Sequence, residues 1–349
     1  MFRVIKTYAI SQTDTRNKPL DFIYTIPLNV KSTQFQSVVS MEKIKVKAPA
    51  TVANVGAGFD ILGFALEQPY DELELSLVNG RGKAAFLSLE GYGKGKLPEN
   101  EKNLCAIAVQ KVMDKLNITG KDIEIKLKKG LPVSSGLGSS SASIVGALYG
   151  ANKLLGGKLG ETELLQIGID CEAVYSGAHA DNVAPCLLGG FVLVRSYEPL
   201  EIIKLGGVNG LHVSVCHPDF ELETKKARAV IPKDVPLKNV IKNQSLLTSL
   251  IYGIAKNDAA LVARSANDYV VEPYRASLIP GFDDVKKAAL NAGAGSCSIS
   301  GAGPAVFAFT LSKKEAETVS KAMACAFSKN GLGSRRYVSG IAKQGVHAI

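Results

Sequence analysis

The chain has no tryptophan, only four histidines and four methionines in 349 residues, and six cysteines of which no two form a C-x-x-C pair. Each scarcity narrows the field. The histidines, at 179, 212, 217 and 347, keep no metal-ligand spacing, so a zinc-type cage is not expected. The cysteines, at 105, 171, 186, 216, 297 and 325, are scattered as reduced, mostly buried thiols of a cytoplasmic protein would be. No apolar run approaches the roughly 18 residues of a membrane span, so no membrane partner is expected. Nucleic acid is not expected either. The net charge is +9, but basic residues are interleaved with acidic ones, and no Lys/Arg block or aromatic-basic platform for stacking bases appears. A basic balance also suits anionic small molecules.

What is present is an ordinary globular composition, 46% hydrophobic and 21% charged, at a length that suits about two domains. Residues 1–40 stand apart as polar, rich in Ser and Thr, and without sustained period. They are expected to be a poorly ordered extension outside the fold: an upstream start-site extension or, less well matched given Asp14 and Asp21, an organelle presequence. Strand-like segments follow at 43–48 and 72–78, a helix at 103–117, a strand at 123–128 and a helix at 161–176, then the buried strand GGFVLVRS. Pro199 and the turn-rich GGVNG mark 189–210 as a boundary region. Beyond it lie a strand at 211–216, helices near 221–230, 240–256, 258–268 and 282–291, the strands SCSIS and AVFAFT, and a helix near 313–329. That order describes a split βαβ sandwich. The expected α+β domains are 41–205 and 206–349, with a ligand cleft between them.

The most informative stretch is Leu131–Ala142, LPVSSGLGSSSA. It joins a strand, in which Ile123, Ile125 and Leu127 alternate with charged residues, to an apolar helix. The first N–H groups of a helix lack intrahelical partners, and the helix dipole places its positive end there, so an anion is stabilised at that spot. Gly136 and Gly138 allow close backbone approach, and a serine hydroxyl can reach a phosphate oxygen or a magnesium ion. This is neither a P-loop, for no lysine follows the glycines, nor the dinucleotide fingerprint, whose third glycine position holds Ser141. Charge on bound phosphates must therefore be balanced by the dipole, a metal, or side chains from elsewhere.

Further clusters are Ala48–Gly63 (APATVANVGAGFDILG), Glu172 with His179–Pro185 (HADNVAP), Thr224–Pro232 (TKKARAVIP), Glu272–Pro280 (EPYRASLIP) and Ser298–Pro304 (SISGAGP). With P-x-x-x-G-L-G-S-S at Pro132–Ser140, they resemble in order, over residues 41–349, the galactokinase, homoserine kinase, mevalonate kinase and phosphomevalonate kinase superfamily. HADNVAP together with EPYRASLIP points to its homoserine branch. The resemblance implies a two-domain small-molecule kinase fold, with an N-terminal domain like ribosomal protein S5 and a C-terminal ferredoxin-like split βαβ domain. It implies ATP- and Mg²⁺-dependent phosphorylation of the side-chain hydroxyl of L-homoserine to O-phospho-L-homoserine, for threonine synthesis. A homodimer is compatible with it.

Carried over position by position, the resemblance implies an ATP site of Asn103, Pro132, Val133, Ser134, Ser135, Gly136, Leu137, Gly138, Ser139, Ser140 and Ser141. Glu172 and Ser139 would share the metal, with Ser140 as the second choice for the serine. The implied substrate residues are Asn54, Asp60, His179, Asn182, Thr224, Arg228 and Arg275. Arginine binds carboxylates bidentately, so Arg228 and Arg275 are natural partners for the amino-acid carboxylate, and Asp60 could hold the ammonium. Asn54 and His179 are the implied catalytic pair, given positioning roles only, and the sequence leaves open how Asn54 and Asp60 divide the ammonium and the reacting hydroxyl. No general base is identified, and the resemblance implies that hydrogen bonding and the γ-phosphate itself serve instead.

Plainer readings accompany each residue taken alone. Asp60 could cap a following helix, His179 could be structural, the arginines could be solvated surface charges, and Gly301 and Gly303 are read first as a tight turn. The functional rivals are a sister kinase acting on mevalonate or another small alcohol, and a non-catalytic binding module. Mevalonate lacks an ammonium, and a non-catalytic member would be expected to lose the loop glycines or the metal carboxylate; neither is lost.

Overall fold

The computed structural model describes residues 8–13, 19–24, 41–174 and 177–349. Within the first forty residues, β1 (Tyr8–Thr13) and β2 (Pro19–Tyr24) pair antiparallel and belong to a unit of their own. The expectation of poor order covers all of residues 1–40, and apart from these two strands it falls on residues outside the described ones.

Residues 41–349 form the second unit. Its first half runs β3 (Lys43–Ala53), β4 (Leu62–Asn79), β5 (Ala84–Gly91), α1 (Leu104–Lys115), β6 (Lys121–Lys129), α2 (Ser139–Leu154), α3 (Glu161–Glu172), α4 (Ala180–Leu188), β7 (Phe191–Tyr197) and β8 (Leu200–Gly206). β3, β4, β6 and β5 lie side by side, and the β7–β8 hairpin joins the start of β4. β5 and β6 pair in parallel and the other neighbours antiparallel. Period-two alternation explains the layering: Ile44 and Val46 on β3, Leu73 and Leu75 on β4, and Ile123, Ile125 and Leu127 on β6 are buried. Helix α2 packs closely on this face, where Cβ atoms at Gly146 and Gly150 would meet Leu73 and Leu75. The other face carries solvated ion pairs such as Lys43–Glu74, which water and salt screen.

The second half runs β9 (His212–Pro218), α5 (Thr224–Ala229), α6 (Leu237–Lys256), α7 (Ala259–Ser265), α8 (Glu272–Arg275), a 3-10 turn (Ala276–Leu278), α9 (Phe282–Asn291), β10 (Ser296–Ile299), β11 (Val306–Thr310), α10 (Lys313–Lys329), β12 (Ser334–Gly340) and β13 (His347–Ala348). Its sheet has the order β10-β11-β9-β12, all antiparallel, which is the split βαβ arrangement. The chain passes from one sheet to the other between Gly206 and His212, yet β13 returns to pair with β3. The expected boundary region 189–210 therefore holds the β7–β8 hairpin of the first sheet.

Strand β11 is apolar on both faces because it is covered on both. Phe307 and Phe309 pack on Phe64 of β4, with ring centroids 6.1 and 5.5 Å away, and Phe309 also meets Phe191 at 6.4 Å. Each fully buried ring contributes about 1.5–3 kcal/mol, more than any surface ion pair, so this cluster fastens the two halves together. Five of the cysteines are buried and all six are free thiols.

Candidate active site

The Gly/Ser loop at 132–140 is shaped by its glycines and clamped from two sides, by β3 and by the segment from Ser300 to Ala305. Gly138, at φ 62°, precedes α2, and a Cβ there would lie 1.9 Å from Thr51 Oγ1. Gly136 has φ 80°, and a Cβ on it would lie 2.4 Å from Ser300 O and 2.7 Å from Gly303 O. Close approach and left-handed backbone both demand glycine. Thr51 N donates to Leu137 O (3.1 Å), Ala305 N to Ser135 O (3.0 Å) and Ser300 Oγ to Gly136 O (2.7 Å). The Ser298–Pro304 turn thus docks on the loop from the second half of the chain.

Loop and turn border a cavity of about 460 Å³. On the loop side it is lined by Val133 to Gly136, Gly138 to Ser140 and Asn103. Asn103 caps α1, accepting from Cys105 N at 2.9 Å and donating to Pro98 O at 2.7 Å. Pro132, Leu137 and Ser141 do not line the cavity, and the Leu137 side chain is wholly buried in the core.

Glu172, the last residue of α3, is buried and lines the cavity. Ser140 Oγ donates to its Oε1 at 2.6 Å and Ser141 Oγ to its Oε2 at 3.0 Å. The expected metal partner, Ser139, is turned elsewhere, its hydroxyl donating to Leu131 O at 3.4 Å. The structure therefore joins Glu172 to Ser140 and Ser141 and not to Ser139, and of the two joined serines Ser140 lines the cavity and Ser141 does not. A carboxylate and a hydroxyl beside a phosphate loop are hard oxygen donors that fit Mg²⁺. That ion is held by one or two carboxylates and completes its shell with phosphate oxygens and water.

The other end of the cavity gathers the expected substrate residues. Asn54, Val55 and Gly56 run through the left-handed region at φ 70, 45 and 69°. Such strain costs about 1–3 kcal/mol at a non-glycine position and is held by surrounding bonds. Here Asn54 Nδ2 donates to Gly301 O (2.8 Å), and Asp60 N donates to Asn54 Oδ1 (3.0 Å). Asp60 caps no helix, since β4 begins at Leu62. Its carboxylate takes two hydrogen bonds from Arg228, Nη1 to Oδ2 at 3.0 Å and Nη2 to Oδ1 at 2.8 Å, and these hold the guanidinium above its ordinary pKa. Arg228 Nε is buried without a partner among the described residues.

Arg275 donates Nε to Ala227 O (3.0 Å) and Nη1 to Gly301 O (2.9 Å). Burial, with Arg228 nearby, lowers its pKa to about 10, so it stays protonated at neutral pH. Both guanidiniums lie over Phe59, at 5.2 and 5.1 Å from the ring centre. Arg228 Nη2 also donates to His179 Nε2 at 3.1 Å, which assigns the neutral ring its proton on Nδ1. Burial pushes the His179 pKa down. Thr224 and Arg228 lie one turn apart on α5 and both line the cavity. Asn182 lines it as well, accepting from Thr51 Oγ1 at 2.7 Å.

These clusters fall where known kinases match. The model "GHMP kinases N terminal domain" matches residues 103–190 and "GHMP kinases C terminal" matches residues 250–329. A homoserine kinase of Chlorobium phaeobacteroides is 43% identical over 321 residues, covering 88% of this chain and all of that protein. The chain belongs to the homoserine kinase family. The family member of Arabidopsis thaliana is 40% identical, with 85% of this chain and 83% of that protein covered. The crystal structure of a homoserine kinase from Cytophaga hutchinsonii superposes with a TM-score of 0.84 at 46% identity, covering 91% of this chain and all of that one. L. major mevalonate kinase, at 15% identity and a TM-score of 0.62, shares the fold.

Alongside the expected residues, this homoserine kinase family member brings four others to the site. Phe59 underlies both arginines. Tyr197 OH donates to Asp60 O (2.8 Å) and accepts from Ala180 N (3.2 Å). Lys129 lines the cavity beneath the loop. Asp181 is buried among acids, its pKa raised to about 7 by burial and then by Asp60 and Glu172. Asp181 and Phe59 stand inside quoted motifs, and Lys129 occupies the buried phase of its strand; Tyr197 carries no such signal.

Proposed function

We propose that the chain transfers the γ-phosphoryl group of ATP to the side-chain hydroxyl of L-homoserine, releasing ADP, O-phospho-L-homoserine and a proton. The observation that carries this reading is that a paired carboxylate and guanidinium, Asp60–Arg228, stand with Arg275 in the same cavity as the phosphate loop. An amino acid offers an ammonium for Asp60 and a carboxylate for the arginines, and its hydroxyl then faces the loop. Phosphoryl transfer is mainly positioning and charge neutralisation. The α2 N-terminus and loop N–H groups receive the phosphates, and Arg275 stays fixed by its two carbonyl acceptors. Asn54 and His179 orient the hydroxyl, and its proton passes to the phosphate oxygens or water without a dedicated base. Glu172 and Ser140 would hold Mg²⁺, which when bound neutralises phosphate charge.

The reading needs no partner beyond the two small molecules, and a homodimer is compatible with it. No helix among the described residues is long and apolar enough to cross a membrane, and a cytoplasmic location is proposed. ADP release measured with homoserine, mevalonate, shikimate and galactose as acceptors tests it. Homoserine should be preferred by at least about 100-fold in kcat/KM, a gap of roughly 2.7 kcal/mol, and equal or better turnover of mevalonate would overturn the reading.

A further inference from the structure

One buried ion pair grips both ends of the loop. Lys129, the last residue of β6, donates from Nζ to Asp71 Oδ2 (2.8 Å), Ser139 O (2.9 Å) and Ser143 Oγ (2.8 Å). An ammonium has three protons, so none is left for a phosphate. Asp71, on β4 and fully buried, takes four hydrogen bonds. Gly130 N (2.9 Å) and Leu131 N (3.1 Å) donate to Oδ1, and Lys129 Nζ and Ser143 Oγ (both 2.8 Å) donate to Oδ2.

The loop leaves its strand after Lys129 and joins α2 at Ser139. The side chain before the loop therefore holds the backbone just after it, while Asp71 holds the first two loop N–H groups. Thr51, Ser300 and Ala305 hold only the middle. Fold stability alone does not account for such a pair, because replacing a buried ion pair with apolar residues is often neutral or stabilising.

We propose that Asp71 and Lys129 are positioning residues for ATP. They set the spacing between the loop's start and the α2 N-terminus so that loop N–H groups converge on the phosphates, and neither touches the nucleotide. This rests on the reading of residues 132–141 as the nucleotide loop.

Asp71→Asn gives the two possible roles opposite signs. It removes a negative charge from behind the loop, which by Coulomb's law alone would tighten ATP binding; loss of the brace loosens it. The expected result is an ATP KM raised at least about tenfold and a homoserine KM within about threefold of the parent. Amides of residues 130–141 should also exchange faster in the ligand-free protein. An ATP KM that is unchanged or lower overturns the proposal. Where Asp71→Asn fails to fold, the neutral double variant Asp71→Asn/Lys129→Met is read by amide exchange alone. Faster exchange confined to residues 130–141 supports the brace, and parent-like exchange there overturns it. The parent with and without ATP separates the two readings. If ATP does not slow exchange in this segment, the nucleotide loop itself is misplaced; if it does and the variants behave as the parent, only the brace fails.

Discussion

Replacing Asp181 with Asn should stabilise the ligand-free protein at pH 8 and change it little near pH 4. The carboxyl is buried, and its pKa stands near 7 instead of the usual 3.8, chiefly through burial and then through the charges of Asp60 and Glu172. The folded-state pKa is raised, so Asp181 costs nothing while it is protonated in both states. Its penalty grows as pH rises above the unfolded value and is complete once pH passes about 7. A displacement of that size corresponds to at most about 4 kcal/mol, and the effective dielectric at a cavity-lining site, higher than in a dry interior, lowers this to about 2–4 kcal/mol. Asparagine has nearly the same shape and does not titrate, so the variant escapes the penalty. Thermal unfolding of parent and variant from pH 5 to pH 8 provides the assay. The variant's advantage should widen with pH to at least about 4 °C, given roughly 2–4 °C per kcal/mol for domains near this size. An advantage that is constant across this range, or a variant that melts below the parent at pH 8, would refute the electrostatic argument.

Other outcomes follow from the geometry. Glu172→Gln should lower turnover by about 100-fold or more with the fold intact, as loss of one strong transition-state stabiliser does; steady-state rates within about threefold of the parent would remove Glu172 from the metal site. Ser140→Ala should impair turnover and its Mg²⁺ dependence more than Ser139→Ala does, a ranking that Mg²⁺ titrations of the two variants check directly. Arg275→Leu should reduce homoserine kcat/KM by tens- to thousands-fold, in line with a lost buried charge partner worth about 2–5 kcal/mol, and leave ATP KM nearly unaltered. A chain starting at Met41 should keep activity within about twofold, since every site residue lies in the unit from Met41 to Ile349; an insoluble or inactive product would show that the preceding segment supports it.

Strong local signals made much of this architecture readable from sequence. Helices at 282–291 and 313–329 lie where periodicity placed them, and the Gly/Ser loop sits between β6 and α2. The misses have local causes. β4 extends back to Leu62 through Gln68 and Pro69, which break its alternation. α4 contains Pro185 and reads as a motif, and β13 has only two residues, its pairing decided by β3. The choice between Ser139 and Ser140 depends on helix phase, set by packing 32 residues away at Glu172. Lys129 did leave a trace. It falls in step with Ile123, Ile125 and Leu127, the buried phase of β6, and a lysine there implies a partnered ammonium. Residues 175–176 of the expected helix at 161–176 lie outside the described residues, and α3 ends at Glu172.

The Asp60–Arg228 pair bears on how an acceptor would be chosen. Without substrate, each charge satisfies the other, and Arg275 is held separately by two carbonyls. On the proposed reading, a carboxylate that carries no ammonium, as in mevalonate, can meet Arg275 while the pair stays closed, and so gains one guanidinium. An amino acid brings an ammonium that gives Asp60 another partner, which frees Arg228 to join Arg275 on the carboxylate. The exchange trades the two Arg228–Asp60 hydrogen bonds for one from the ammonium to Asp60 and one from Arg228 to the carboxylate, so its net gain is less than the roughly 1.5–3 kcal/mol of one added charge-assisted bond. The ammonium is thus read twice, by its own contact with Asp60 and by the arginine it releases. Selectivity of this kind needs the acid and the guanidinium to be partners before substrate arrives, because an unpaired Arg228 would accept either carboxylate equally.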